Sequence, residues 1–281
     1  MTMSETIAAR MRAARKALVT ADIDGSALDA RLLMQTAAGL SHEQLVSSTD
    51  TELSAEANQR FTEFLNRRLA HEPVSRILGT REFYGREFLV TPAVLDPRAD
   101  TEALIDLVLE LSRPEHGRLI DIGTGSGAIA VSLLAEMPNF SGIAVDLSAD
   151  ALHVAKSNAL ANGVSGRLQF HHGSWFEGIA EKFELIVSNP PYIPHGVIAG
   201  LSAEVREYDP HLALDGGADG LFAYRALAGG ARLRLAKDGM IAVEIGAGQG
   251  PDVTAIFVTH GFEAVGQRYD LGGHLRALTF R

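Results

Sequence analysis

Apolar residues in the first seventy positions recur at helical spacing. Ile7, Met11, Ala14 and Leu18 fall three or four apart, which turns one helix face toward a core. Asp29 to Ala38 predicts a second helix, stopped by Gly39, and Ser41-His-Glu-Gln has the form of a capped start. Ser54 opens another helix, with Glu56 and Glu63 in its early turns and Phe61, Phe64 and Leu65 on one face. No strand pattern interrupts residues 3–70, so residues 1–72 predict a small helical domain. The stretch PVSRILGTREFYGREFLV then alternates apolar and polar residues around Gly79 and Gly85, which predicts a hairpin connector over residues 73–98. Pro92 and Pro97 break the chain ahead of a helix from Asp100 to Ser112.

Beyond residue 117, short apolar runs alternate with helical patterns. Strands are predicted at Arg118–Ile122, Gly142–Asp146, Leu168–His171, Phe183–Ser188 and Met240–Ile245, with two more near 263–269 and 275–280. Helices are predicted at Gly127–Glu136, Ala149–Ala161, Ala218–Leu235 and Pro251–His260. This order implies an α/β domain over residues 99–281, with a mostly parallel sheet and helices on both faces. Such sheets bind ligands at the carboxyl ends of their strands, near the switch point.

Composition narrows the class. The 281 residues are 46% hydrophobic and 21% charged, ordinary for a globular protein. With no Cys, the chain has no disulfide, no thiolate zinc site and no Cys nucleophile, and it suits a reducing compartment. No run approaches the roughly 18 apolar residues of a membrane span. The Arg-rich amphipathic start lacks an apolar signal core, so a cytoplasmic location and no membrane partner are expected. Residues 1–80 hold 9 Lys and Arg against 10 Asp and Glu, whereas the remainder holds 16 against 25. An acidic catalytic part argues against direct nucleic-acid binding, which normally shows a basic face.

The chemistry concentrates in two loops. Asp121-Ile-Gly-Thr-Gly-Ser-Gly follows a strand and opens a helix. Gly123, Gly125 and Gly127 allow a sharp turn and close approach of the backbone to a ligand. Asp146 ends the next strand, placed to accept ribose hydroxyls. Both features fit a nucleoside but do not separate a nicotinamide dinucleotide from S-adenosylmethionine. Ser188-Asn-Pro-Pro-Tyr192 does. Its prolines fix φ and remove two donors, leaving the Asn189 side-chain oxygen and the Pro190 carbonyl as acceptors. A planar NH₂ group is the natural guest, and Tyr192 offers an aromatic face. Acceptors set off the amide plane favour the pyramidal nitrogen of a transfer transition state. The ten His show no ligand spacing, and no metal is assigned.

Together these residues resemble the class I, S-adenosylmethionine-dependent amino-methyltransferases, a Rossmann-like fold. The segments PVSRILGTREFYGREFLV, VLDPRADTEALI, DIGTGSGAIAVSLL, NPPYIP, EVREYDPHLALDGGADGLFAYR and VEIGAGQ are similar to the peptide chain release factor N5-glutamine methyltransferases, over about residues 70–281. The resemblance implies S-adenosylmethionine as cofactor. Its binding residues would be Gly123, Thr124, Gly125, Ser126, Gly127 and Asp146, with Trp175 by the adenine and Asn189 bordering both ligands. It implies that Asn189, Pro190, Pro191 and Tyr192 receive the glutamine of the Gly-Gly-Gln loop of release factors. Catalysis would fall to Asn189, Pro190 and Tyr192, and substrate docking to the helical domain. A cofactor-pocket role is the expectation for Arg98, Thr101 and Glu102. The sequence departs from the family pattern at Asp96 and Ala99, which stand where an apolar residue and Pro are usual. The same loop would also serve a ribosomal-protein glutamine or the N6 amine of adenine, and a nicotinamide oxidoreductase or a non-catalytic nucleotide module are further readings.

Overall fold

The computed structural model describes residues 6–111 and 115–281. Residues 1–5 and Ser112, the predicted end of a helix, lie outside the described residues. The chain divides into two compact units: the residues up to Gly79 together with Ala203–Tyr208, and Thr80–Ser202 together with Asp209–Arg281.

The first unit contains α1 (Ile7–Thr20), α2 (Ser26–Ala38), α3 (His42–Ser47), α4 (Ala55–Leu69) and α5 (Val74–Leu78). The helix starts follow from capping chemistry. Thr6 Oγ1 accepts from the Ala9 amide, Ser41 and Gln44 form a reciprocal capping box, and Ser54 Oγ accepts from the Ala57 amide. Leu18, Leu33, Met34 and Phe61 are fully buried at the centre of this unit. Arg68, only 4% exposed, bonds Asp29 at 2.7 Å and Glu204 at 2.6 Å, so its buried charge is paired on two sides.

Residues 74–78 form a helix, not the first strand of the expected hairpin. Val74, Ile77 and Leu78 sit at i, i+3 and i+4, so their spacing serves a helix as well as it serves an alternating strand. Gly79, at φ 76°, ends that helix in the left-handed conformation. The hairpin lies later and belongs to the second unit: β1 (Thr80–Phe83) pairs antiparallel with β2 (Arg86–Leu89). Tyr84 and Gly85, both at positive φ, make its two-residue turn.

The second unit is built on a sheet of seven strands in the order β5-β4-β3-β6-β7-β9-β8. These are β3 (Gly117–Ile122), β4 (Phe140–Asp146), β5 (Leu168–His172), β6 (Phe183–Ser188), β7 (Leu235–Glu244), β8 (Ala264–Tyr269) and β9 (Leu275–Phe280). The first five run parallel, and β9 pairs antiparallel with both β7 and β8. Alternation along each strand splits the core in two. Leu119, Ala144, Leu185 and Met240 pack on one face with residues of α6 (Glu102–Glu110) and α7 (Ala128–Glu136). Ile120, Ile143, Ile186 and Ile241 pack on the other. Burial on both faces explains the near-continuous apolar runs of the parallel strands. The chain continues through α8 (Ala149–Ala161), α9 (His195–Ile198), α10 (Ala203–Tyr208), α11 (His211–Leu214), α12 (Phe222–Arg234) and α13 (Gly250–Thr259). Tyr224 and Leu227 of α12 and Phe257 of α13 join the second core.

The boundaries of α12 and β7 differ most from expectation. α12 begins at Phe222 rather than Ala218, because Gly217 and Gly220 at φ 85° and 75° hold the preceding residues in a loop. β7 begins at Leu235 rather than Met240, pairing with Phe183 before a register shift.

Candidate active site

The loops after β3 and β6 emerge side by side, because those two strands are neighbours in the sheet. The chain crosses from one half of the sheet to the other here, so this is the switch point. A cavity of about 400 Å³ opens at the carboxyl ends of the strands. Gly123, Thr124, Gly125, Ser126, Asp146, Trp175, Asn189, Pro190 and Pro191 all line it. The structure therefore brings together, around one space, residues that span positions 123 to 191 of the chain.

The glycine turn is held from within. The amides of Gly123 and Thr124 both donate to the Val145 carbonyl, at 2.9 and 3.0 Å. The Gly125 amide donates to Asp146 Oδ2 at 2.8 Å, and the Ser148 amide to Asp146 Oδ1 at 2.9 Å. Asp121, fully buried beneath the turn, accepts from Thr124 Oγ1 at 2.7 Å and from the Ala130 amide at 3.3 Å. Burial pushes the Asp121 carboxyl up to about 7, against the lowering pull of those two bonds. Gly127, at φ 82°, lets the turn sit on α8: a Cβ there would lie 3.1 Å from Ala155 Cβ. At Gly123 and Gly125, also at positive φ, a Cβ would enter open space. The turn offers a ligand close approach, with its Gly123 and Thr124 amides engaged by a carbonyl and its Gly125 amide by a carboxylate. A diphosphate needs free amides and no facing acids. An uncharged or cationic nucleoside ligand fits better.

Trp175 stands at φ 52° with its ring edge-on to Phe222, centroids 6.3 Å apart. Its indole lines the cavity and packs only partly against the core, so this Trp is neither fully interior nor free. Arg98 also lines the cavity. It pairs with Asp209 at 2.6 Å and Asp96 at 3.2 Å, which gives the unusual Asp96 a charged partner. Thr101 lines the cavity, but Glu102 does not: its Oε1 accepts from the Tyr84 amide at 2.9 Å and braces the hairpin. Sequence reasoning missed the apolar wall supplied by Val94, Leu95, Leu147 and Phe222. The exposed Leu147 beside Asp146 is the signal that could have marked it.

The Asn-Pro-Pro-Tyr loop treats its polar groups differently. Asn189 Nδ2 donates to Thr101 Oγ1 at 3.2 Å, which leaves Oδ1 as the free end of the amide. Among the described residues no hydrogen bond reaches Asn189 Oδ1 or the Pro190 carbonyl. The loop is pinned from outside: the Ile193 amide donates to the Leu214 carbonyl at 3.1 Å and the Gly216 amide to the Ile193 carbonyl at 2.9 Å. A Cβ on Gly216 would lie 2.9 Å from the Pro191 carbonyl, so the segment behind the loop must approach it as bare backbone. Ser188 Oγ donates to the Ile122 carbonyl at 2.6 Å and fixes the two strand ends together.

Tyr192 departs from its expected place. Its ring packs on the core and is not part of the cavity wall. Its hydroxyl reaches Glu244 Oε1 at 3.5 Å, and Gln249 Nε2 donates to its carbonyl at 3.0 Å. Burial pushes the phenol far up, and the nearby Glu244 adds to this. Glu244 is 1% exposed, and burial pushes its carboxyl up to about 7 while Thr101, Arg276 and Tyr192 pull it down. Among the described residues no group of three or more His, Asp or Glu could hold a metal ion, and no helix is long and apolar enough to cross a membrane.

The chain is similar to known proteins in sequence and in fold. Residues 11–79 match the PrmC N-terminal domain, and residues 98–203 match the Methyltransferase small domain. A release factor glutamine methyltransferase of Agrobacterium fabrum (strain C58 / ATCC 33970) is 44% identical over 281 residues, covering 98% of this chain and 97% of that protein. One of the same name from Caulobacter vibrioides is 42% identical, covering 98% and 96%. In fold, the chain is similar to the hMettl16 catalytic domain in complex with MAT2A 3'UTR hairpin 6, with TM-score 0.56, 18% identity, and 74% and 80% of the two chains covered.

Proposed function

The chain belongs to the family of release factor glutamine methyltransferases, and from that premise we propose how its residues carry out the reaction. It is an S-adenosylmethionine-dependent methyltransferase that acts on a glutamine of peptide chain release factors. The acceptor atom is the side-chain amide nitrogen, N5, of the glutamine in the Gly-Gly-Gln loop. The reaction takes place in the cytoplasm, and the helical unit docks the protein substrate. The observation that carries this reading is the pair of open acceptors, Asn189 Oδ1 and the Pro190 carbonyl, on a cavity whose opposite wall is a glycine turn.

The residues present fit the cofactor. The Gly123–Gly127 turn admits close approach without offering a diphosphate site, which suits a ligand that carries a sulfonium and no phosphate. Each Asp146 oxygen accepts one backbone amide and keeps lone-pair capacity for a ribose hydroxyl. Trp175 supplies an aromatic wall for adenine. When bound, S-adenosylmethionine supplies a methyl group already activated as an electrophile.

The chain must then prepare a poor nucleophile. An amide nitrogen holds its lone pair in conjugation with the carbonyl. Asn189 Oδ1 and the Pro190 carbonyl accept one N–H each, so the NH₂ group is oriented and the nitrogen can pyramidalise. They stabilise the transition state more than the flat ground state. The prolines keep both acceptors in place before substrate arrives, so little reorganisation is needed. The proton lost from nitrogen after transfer leaves to water, and no strong base is required.

The test is transfer of labelled methyl from S-adenosylmethionine to four acceptors: purified release factor, its Gln→Ala variant in the Gly-Gly-Gln loop, ribosomal protein and single-stranded DNA. Label on the unaltered release factor alone supports the reading. Label on either of the last two, or equal label on the Gln→Ala variant, overturns it.

A further inference from the structure

Behind the cavity wall lies a chain of polar side chains that the mechanism above does not use. Asn189 Nδ2 donates to Thr101 Oγ1. Having accepted there, the Thr101 hydroxyl has its own proton to give. Glu244 at the end of β7 is buried beside it, and Glu244 Oε2 has no hydrogen-bond partner. The Thr101 hydroxyl lies within hydrogen-bond reach of the Glu244 carboxyl, and a hydroxyl proton complements a buried carboxylate oxygen that has no other donor. Resting on the function proposed above, we propose that Glu244 and Thr101 are positioning residues. The Glu244 carboxylate takes the Thr101 proton, so Thr101 can only accept from Asn189, and the Asn189 amide is locked with Oδ1 toward the substrate. A flipped amide would present two donors to an NH₂ group and repel it.

The lock depends on the charge of Glu244. The other groups that act on this carboxyl are Tyr192 on the same loop, Arg276 on β9, Asp100 before α6 and, through Tyr224, α12. A protonated Glu244 can donate to Thr101, which frees the Thr101 proton to point at Asn189 and allows the flip. The orientation of Asn189 is therefore tighter above the Glu244 midpoint than below it.

The experiment compares Thr101→Val, Thr101→Ser, Glu244→Gln and the Thr101→Val/Glu244→Gln pair with the unaltered enzyme. Three quantities are read: single-turnover methyl transfer at saturating cofactor, cofactor Kd, and the ¹⁵N side-chain amide signal of Asn189, identified by its loss in Asn189→Asp. Thr101→Val and Glu244→Gln should each slow transfer roughly 10- to 100-fold, the effect of one charge-assisted hydrogen bond. In Glu244→Gln, whose side chain is not on the cavity wall, cofactor Kd should stay within about twofold, which separates a positioning loss from unfolding. The double variant should be no slower than Thr101→Val alone. Thr101→Ser should recover most of the rate. The Asn189 amide signal should titrate with a midpoint near 7 in the unaltered enzyme and be flat in Glu244→Gln. Multiplying losses in the double variant, or an Asn189 signal that neither substitution moves, overturns the proposal. The amide signal needs no substrate, so it decides the relay even if release factor proves not to be the acceptor.

Discussion

The two loops that face the cavity leave adjacent parallel strands, yet they dispose of their polar groups in opposite ways. In the Gly123–Gly127 turn, the Gly123 and Thr124 amides are engaged by the Val145 carbonyl and the Gly125 amide by Asp146, while Asp121 holds the Thr124 hydroxyl. In the Asn-Pro-Pro-Tyr loop, the prolines remove the donors and two acceptors stay open. The first loop is a shape: it lets a ligand come close and is braced so that it does not move. The second is a chemical demand for a guest with two N–H donors. In the function proposed above, one wall serves binding and the other the reaction, and the difference predicts that their mutants will fail differently.

The sharpest contrast should come from Asn189→Ala. It removes one of the two acceptors, so transfer should fall about 10²- to 10³-fold, the loss seen when one transition-state hydrogen bond is deleted. Cofactor affinity, measured by calorimetry, should hardly change. Comparable losses in both would erase the distinction between the walls. On the other side, Asp146→Ala should weaken cofactor binding about 10- to 100-fold, since it removes charged hydrogen bonds and frees the Gly125 and Ser148 amides. Its rate at saturating cofactor should stay close to normal, and a large drop in that rate instead would mean that Asp146 acts on the chemical step.

Gly127→Ala tests the bracing. Its φ of 82° strains any side chain, and a methyl group 3.1 Å from Ala155 Cβ would force that neighbour to shift by a few tenths of an ångström. Thermal unfolding should show a loss of about 1–3 kcal/mol, the usual scale of backbone strain. The most gradual effect concerns pH. Asp121 has its carboxyl raised from 3.8 to about 7, so the folded protein holds a proton that the unfolded chain releases. That contribution is complete below about 4 and disappears as pH rises through about 7. In this window the unaltered protein should lose stability relative to Asp121→Asn by at most on the order of 1 kcal/mol per pH unit. Melting curves that run parallel between the two proteins across that window would remove Asp121 from the account.

Much of this architecture is legible in the sequence. Strands buried on both faces read as apolar runs, and β6 was bounded correctly at Phe183–Ser188 because Asn-Pro stops it. The glycine spacing marked the turn, since only glycine reaches positive φ at low cost. The helix at Val74–Leu78 is not legible in the sequence, because five residues carry too little pattern to separate a period of two from one of 3.6. The relay from Asn189 through Thr101 toward Glu244 was out of reach for another reason. Thr101 lies 88 positions before Asn189 and Glu244 lies 55 after it, and only the fold brings the three together. Tyr192 shows the same limit: its place in the motif suggested a wall of the cavity, and packing turned it toward the core.

The central claim is that this chain puts a methyl group on a glutamine amide nitrogen of release factor. The most direct measurement is fragment mass spectrometry of release factor after reaction with methyl-labelled S-adenosylmethionine. The account predicts a single added methyl, confined to the side chain of the Gly-Gly-Gln glutamine and lost on hydrolysis of that side-chain amide as methylamine. A methyl on any other residue, or on the backbone of that loop, would contradict it.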